Sequence, residues 1–376
     1  MEEELLGVEA VDLLKSMVKI PSYSFEEEER ANFLFSYLTN RAAKISSDIT
    51  VKRIKNNIVM YNRNFYSNKE TLMLCSHIDT VKELDSYTFN PFGGIEKDEI
   101  IYGLGTNDDG ASVVSQIETF FYFNSINFSE DNISVNLLLV LTAEEERSGS
   151  KGMDLVMQAL ADSYVTNTYN KKISLYPHFA IVGEPTAMDV AIAERGLLVL
   201  DGEAYGISGH AARNEGINAL YIALNDINIL RNYKFKRYSN LMGEVKLTIT
   251  QLNCGQAHNV IPDRALFVID IRPTEQYSNI EILELLQKEV KSNLRARNLT
   301  NRTSFTPKGH RLITVIDKLR IKSYVSPTTS DWMRLSIPAI KMGPGESARS
   351  HSIDEFVKKS EIKAGIEGYI KFIENI

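Results

Sequence analysis

Thr71-Leu-Met-Leu-Cys-Ser-His77-Ile-Asp79 decides the fold: it is an apolar run of strand length that ends in a histidine and an aspartate. Three other runs end in a similar way. Val135–Leu141 leads into Glu144-Glu145-Glu146, Phe179–Val182 leads through Gly183 into Glu184-Pro185, and Ile337–Met342 leads through Gly343-Pro344-Gly345 to His351. Short apolar runs bounded by Gly, Pro or charge read as buried strands of a parallel sheet. Ligands of open α/β sheets gather beyond the carboxyl ends of the strands. One His or Glu in such a place means little, but His, Asp and Glu at four of them point to a metal site. A fifth element, Tyr102-Gly-Leu-Gly-Thr-Asn-Asp108-Asp109-Gly110, is a tight loop whose glycines let Asp108 turn inward. A helix follows it, with Val113, Val114, Ile117, Phe120 and Phe121 on one side. Imidazoles and carboxylates without a thiolate suit zinc, with manganese or cobalt as substitutes.

The 376 residues exceed the usual size of a single core, so two domains are expected. With 43% hydrophobic and 24% charged residues, the composition is that of an ordinary globular protein. A net charge of −7 argues against nucleic acid or an anionic membrane as the main partner. The longest apolar stretch, around Leu137–Leu141, is far too short to span a bilayer. Met1-Glu-Glu-Glu4 carries the wrong charge for a signal peptide, and Cys75 and Cys254 make no disulfide framework. A cytoplasmic enzyme fits all of this.

Residues 8–20 and 26–39 read as amphipathic helices. From about 50 to 185 strands and helices alternate, as in a sheet covered on both faces, and the polar stretch 162–174 reads as a surface loop. The character changes near 190. Strands are expected over 197–205, 245–252 and 265–271 and a helix over 215–230, while Ser278-Asn-Ile-Glu281 is a capping box opening a helix through Val290. The fold expected is therefore α/β, a mixed and mostly parallel sheet flanked by helices. Residues 1–190 and 299–376 would form the catalytic metal-binding domain, and an α+β domain over 191–298 would be inserted into it.

Eight motifs appear in order along the chain: Ser76-His77-Ile-Asp79-Thr80, Gly103-x-Gly105-x-x-Asp108, Thr142-Ala-Glu-Glu145-Glu146, Gly183-Glu184-Pro185-Thr186, Gly209-His210-Ala211, Asn259-Val-Ile-Pro262, Asp270-Ile-Arg272 and Gly343-Pro-Gly-x5-His351. Any one is weak, but together they resemble the co-catalytic, dinuclear zinc metallopeptidase and deacylase family. That family includes acetylornithine deacetylase, succinyl-diaminopimelate desuccinylase and carboxypeptidase G. Val182-Gly-Glu-Pro-Thr186 followed by Ala193-Glu-Arg-Gly196 looks most like the acetylornithine deacetylase branch. The chain departs from the family at Leu104, where Arg is frequent, at Asp109-Gly110, where Met-Lys is frequent, and at Ser350, where Ala is common.

The resemblance implies two zinc ions per subunit, with cobalt able to substitute. Asp108 would bridge them, His77 and Glu184 would complete one site, and Glu146 and His351 the other. Asp79 would orient His77, and Glu145 would be the general base. The acidic triplet leaves a one-residue shift of these roles open, and Asp109 stands beside Asp108 as the alternative bridge. The implied reaction is hydrolysis of an N-acyl-L-amino acid, with N2-acetyl- or N2-succinyl-ornithine or -citrulline of arginine biosynthesis first and a dipeptidase, exopeptidase or desuccinylase as the alternative. His210 would stabilise the oxyanion, Arg272 would grip the substrate α-carboxylate, and Asn259 and Thr329 would line the substrate site. The inserted domain would be a lid that pairs with its twin in a homodimer, carrying His210 to the partner's site. His178, His258 and His310 carry no such argument.

Overall fold

Along the strand Thr71–His77 successive side chains point to opposite faces, as a pleated strand requires. Leu72 and Leu74 enter one apolar cluster while Met73 and Cys75 enter another. A strand buried on both faces has no polar alternation, which is why it reads as an unbroken apolar run. The structure, a computed structural model, describes residues 2–125, 133–167, 170–213 and 215–376. Asn136–Thr142, Thr71–His77, Phe179–Val182 and Ala339–Lys341 lie side by side in that order, each parallel to the next. Antiparallel strands extend this centre. Asn57–Asn62 pairs with Asn136–Thr142 and then with Ile49–Ile54, and Val190–Glu194 pairs with Ala339–Lys341. The sheet is thus mixed, with its parallel strands at the centre, and its covering helices make the fold α/β as expected.

One face is covered by Glu2–Val18, Glu28–Ile45, Ala111–Phe123, Arg311–Leu319 and Lys359–Glu374. The other carries Met153–Ala161 and the buried Trp332. Helix Ala111–Phe123 is buried almost all round, since it packs on the sheet and is covered by Lys359–Glu374. Because the four central strands are parallel, all their carboxyl ends emerge at one edge. A small antiparallel sheet, Phe356–Lys358 with Ile100–Tyr102 and Ile95–Lys97, joins the chain before the Asp108 loop to the chain after His351.

By contacts the chain divides into one unit of residues 1–192, 306–324 and 330–376 and another of residues 193–305 and 325–329. Relative to a division at 191 and 298, the segments 299–305 and 325–329, Thr329 included, count with the smaller unit. That unit has an antiparallel sheet in the order Lys246–Cys254, Arg264–Arg272, Leu198–Tyr205, Asn293–Ala296, with helices Ala219–Asn232 and Asn279–Gln287 packed on it.

Several boundaries differ from expectation. The first two helices run longer, Glu2–Val18 and Glu28–Ile45. The helix expected from 215 begins at Ala219, because Gly216 takes a φ of 83° and Ile217 bridges to Ile207 before the Asn218 side chain caps the helix. The polar stretch 162–174 contains a short hairpin, Tyr164–Thr166 with Lys172–Ser174. The capping box is half formed: Ser278 accepts the Glu281 N–H at 3.2 Å, but the Glu281 carboxylate pairs with Arg237, and the helix ends at Gln287. Among the described residues no helix is long and apolar enough to cross a membrane.

Glu96 ties the first and last helices to the small sheet through Lys15 at 2.8 Å and Lys359 at 2.7 Å. These two hydrogen-bonded ammonium groups lower its pKa to about 2, against about 4.3 in an unfolded chain. A depressed carboxylate contributes stability above the unfolded pKa and loses it as pH falls through the folded one. Glu96→Gln should therefore cost about 1 kcal/mol or less at pH 7 and remove part of the stability lost between about pH 4 and 2. Urea unfolding of both proteins at pH 7 and pH 3 checks this; an equal difference at the two pH values would contradict it.

Candidate metal centre

His77 is the last residue of its strand, so the chain turns immediately after it. Its Nδ1 lies 3.0 Å from the Asp79 carbonyl oxygen and 3.5 Å from Asp79 Oδ1. A ring that donates from Nδ1 leaves the Nε2 lone pair for a ligand. Nε2 is 3.1 Å from Asp108 Oδ1. On the other side, His351 Nε2 is 3.0 Å from both Glu146 oxygens and 3.9 Å from Asp108 Oδ2. Asp108 therefore shows one oxygen to each imidazole. Donor atoms of His77, Asp108 and Glu146 all lie within 4.8 Å of one another. Glu184 follows the neighbouring strand, near enough that the charges of Asp108 and His77 act on it in opposite senses.

The loops that carry these groups are held through their backbones by buried carboxylates. Asp79 Oδ1 accepts the Glu145 N–H and Oδ2 the Glu146 N–H, each at 3.1 Å, and the Ser24 hydroxyl adds a bond at 2.7 Å. Glu27, fully buried, accepts the Glu144 N–H at 3.2 Å. Glu144 has a φ of 61°, and its own carboxylate turns back to the Lys151 N–H at 3.0 Å, which separates it from its two acidic neighbours. Glu355 accepts N–H bonds from Gly105 at 3.0 Å and from Asn107 and Asp108 at 2.9 Å each. Gly105 has a φ of 76°, and a Cβ there would strike the Thr80 methyl at 2.5 Å, so only glycine fits this turn. No sequence signal marks Glu27 or Glu355; a glutamate within the run Glu26–Glu29, or one just before a strand, reads as a solvated one.

Burial raises Glu145 and Glu184 well above the usual carboxylate range and raises Glu146 as well, with neighbouring carboxylates adding to each. The hydrogen bond to Glu146 lifts His351 to about 9. Burial pulls His77 down, but its hydrogen bonds to Asp108 and Asp79 prevail and raise it well above 6.5. Asp79 stays low despite burial because of His77. Four clustered carboxylates with two imidazoles are short of positive charge, and an oxygen and nitrogen donor set of this kind fits divalent cations. Asp331 is a further buried carboxylate here. It accepts the Thr142 hydroxyl at 2.6 Å and is raised to about 6 by burial.

The remaining sequence-derived candidates belong to the smaller unit. His210 is exposed on a two-residue strand paired with Val260–Ile261, and its Nδ1 accepts the Ala212 N–H at 3.1 Å. Asn259 is exposed and its carbonyl accepts the Ala211 N–H at 3.0 Å. Arg272 donates from Nε and Nη2 to Asp270 at 2.8 and 3.1 Å, a fork in which Nη1 takes no part. Thr329 is half-buried at the end of the segment 325–329. Two histidines without a functional argument have structural uses: His178 accepts the Thr71 N–H at 3.0 Å, and His310 caps helix Arg311–Leu319.

The model of peptidase family M20/M25/M40 matches residues 73–375. Acetylornithine deacetylase of Proteus mirabilis is 26% identical, over 97% of this chain and 96% of its own length. Succinyl-diaminopimelate desuccinylase of Sulfurimonas denitrificans is 25% identical, over 98% of this chain and 99% of its own. Among solved structures, the YXEP protein of Bacillus subtilis, described as a dinuclear metal binding peptidase of the M20 family, superposes with a TM-score of 0.71 at 12% identity. The superposition covers 99% of this chain and 98% of that one.

His351, lifted to about 9, holds a proton at pH 7 and must give it up to ligate a cation. Metal binding at pH 7 should therefore release protons, and affinity should rise with pH towards the His351 value of about 9. Calorimetric titration with zinc in buffers of different ionisation enthalpy measures this. A heat independent of buffer would contradict it.

Proposed function

The chain belongs to peptidase family M20/M25/M40 and is a metallohydrolase, and from that premise we propose that it hydrolyses the amide bond of an N-acyl-L-amino acid. The observation that carries the reading is the convergence of His77, Asp108 and Glu146, with Glu145 fixed beside them by Asp79. In this reading His77, Asp108 and Glu184 hold one ion and Asp108, Glu146 and His351 the other, with zinc as the metal and cobalt able to replace it. Divalent ions so bound supply Lewis acidity towards a carbonyl oxygen and make a water molecule acidic near neutral pH.

Glu145 is half-buried next to this set and takes the proton of the attacking water as its oxygen bonds to the carbonyl carbon. It passes that proton to the nitrogen as the C–N bond breaks, and the water's second proton follows it to the amine, leaving a carboxylate and an ammonium group. Proton transfer by a positioned base accounts for roughly 10²–10⁴-fold of rate. His210 supplies a donor to the oxyanion, Arg272 holds the substrate α-carboxylate through the guanidinium edge not given to Asp270, and Asn259 and Thr329 line the substrate site. Substrates proposed first are N2-acetyl- and N2-succinyl-ornithine and -citrulline, which would place the enzyme in arginine biosynthesis. The support is the full-length similarity to acetylornithine deacetylase. Desuccinylation of a diaminopimelate is the second reading, on the similarity to the desuccinylase.

We further propose a homodimer through the smaller unit, with His210 completing the partner's site. Helix Ala219–Asn232 exposes Tyr221 by 69% and Leu224 by 46%, and the edge strand Lys246–Cys254 exposes Leu252 by 41%. Apolar side chains exposed on a helix and on the edge strand of the sheet it packs against suit an isologous interface.

A steady-state screen of N-acetyl- and N-succinyl-ornithine, -citrulline, -lysine and diaminopimelate, with dipeptides alongside, tests the substrate class. It should be run on the wild type, Glu145→Gln and Glu146→Gln. Turnover of acyl amino acids should fall at least about 10²-fold in Glu145→Gln with metal content intact, whereas Glu146→Gln should lose metal. The reverse pattern would shift the roles by one residue, and a preference for dipeptides would replace deacylation with peptidase activity. For the dimer, mixing inactive His210→Ala with inactive Glu145→Gln subunits should restore activity. Confirmed subunit exchange without activity would place His210 in its own chain's chemistry or outside it.

A further inference from the structure

The loop that carries Asp108 has little regular backbone pairing of its own. Leu104 donates to the Pro91 carbonyl at 2.8 Å and Thr106 to that of Gly103 at 3.1 Å. The N–H groups of Gly103, Gly105, Asn107 and Asp108 all go instead to one residue, Glu355. Its carbonyl takes Gly103 at 2.9 Å, Oε2 takes Gly105 at 3.0 Å, and Oε1 takes both Asn107 and Asp108 at 2.9 Å.

The register explains why this residue is the partner. Phe356 stands opposite Tyr102 in the small antiparallel sheet, so Glu355 and Gly103 are the next residues out on their two strands. Tyr102 packs between Phe89, with ring centroids 4.3 Å apart, and Phe356, at 5.7 Å, which secures that register. Glu355 is 1% exposed, and its carboxylate is spent on backbone donors. Four residues earlier in the same segment stands His351, whose Nε2 faces Glu146 and Asp108. A second tie joins the same two segments. Asn107 donates from Nδ2 to the Glu346 carbonyl at 3.1 Å, and its Oδ1 accepts the Glu346 N–H at 2.9 Å.

We propose that Glu355 is a positioning residue that locks the Asp108 loop to the segment bearing His351, so that the shared carboxylate and the terminal imidazole are set together before a metal arrives. The proposal rests on the reading of Asp108 and His351 as metal ligands. Three backbone N–H bonds received by its two carboxyl oxygens fix the loop backbone in a way that an amide, with a single acceptor oxygen and two donors, cannot reproduce. Loss of an outer partner of this kind typically lowers metal affinity about 10–100-fold.

The test is competition of cobalt-loaded full-length protein against a chelator, for the wild type, Glu355→Gln, Glu355→Asp and Asp108→Asn, with far-UV circular dichroism as the control for folding. Glu355→Gln should release cobalt about 10–100-fold more readily than the wild type with an unchanged spectrum, and Glu355→Asp, which keeps two acceptor oxygens, should recover part of the loss. If Asp108→Asn weakens binding and Glu355→Gln does not, the residue is only structural and the proposal falls alone. If Asp108→Asn also leaves affinity unchanged, the ligand reading fails and takes the proposal with it. Should Glu355→Gln not fold, amide hydrogen exchange on the cobalt-loaded wild type decides. Protection of Gly105, Asn107 and Asp108 comparable to that of Ile100–Tyr102 supports the lock, and exchange at the rate of free amides overturns it.

Discussion

The bond on which the site depends is the one between a buried carboxylate and a backbone N–H. Asp79 takes the N–H groups of Glu145 and Glu146, Glu27 that of Glu144, and Glu355 those of Gly105, Asn107 and Asp108. These residues lie where strands have ended and no ladder remains to accept their donors. A buried N–H left without a partner costs about 1–3 kcal/mol, so irregular loops at this edge are stable only because ionisable side chains come in to meet them. The same bonds fix the direction of the functional carboxylates, since a side chain can be aimed only from a backbone that is itself held.

That arrangement concentrates negative charge. On the protein side the buried Lys341 acts on Glu184, and Arg30 is a buried cation near Asp79 and Glu355. Its guanidinium donates to the Ile20 and Ile78 carbonyls, and burial lowers it to about 10 while Asp79 and Glu355 oppose the fall. Arg30 thus supports the turn after the His77 strand without entering the ligand set. The half-buried carboxylates of the site, Glu145, Glu146 and Glu184, are raised by desolvation and by neighbouring carboxylates. The protein accepts this cost in a place where a divalent cation would remove it. A network built for stability alone would have been neutralised internally or replaced by apolar packing.

The sheet converts sequence order into proximity. His77, Glu146, Glu184 and His351 are far apart in the chain, yet each follows a strand of one parallel set, and parallel strands share an edge. Gly183 shows how tightly that edge is assembled, because a Cβ there would collide with the Ser76 hydroxyl on the next strand. Asp108 arrives differently, on a loop between the small antiparallel sheet and the buried helix Ala111–Phe123, and so needs an anchor that no strand supplies.

From the sequence alone, the apolar runs with their terminal His, Asp and Glu determined the α/β fold and the parallel centre of the sheet, and they nominated His77, Asp108 and Glu146, whose donor atoms the structure brings together. Each of those signals is local, a run of strand length followed by a donor. Glu27 and Glu355 were illegible because their meaning lies in the amides they meet, which belong to segments more than one hundred residues distant. The same holds for His178, which accepts the Thr71 N–H on another strand, whereas His310 caps its own helix by accepting the Leu312 N–H two residues on. Helix ends were misjudged where a local device intervened, as at Gly216 and Asn218 before Ala219. The capping pair at Ser278 and Glu281 was half replaced by the ion pair with Arg237. Pattern and spacing record which residues can be buried or can bind. Only the tertiary structure decides which donor meets which acceptor, because that choice is made between atoms that share no sequence neighbourhood.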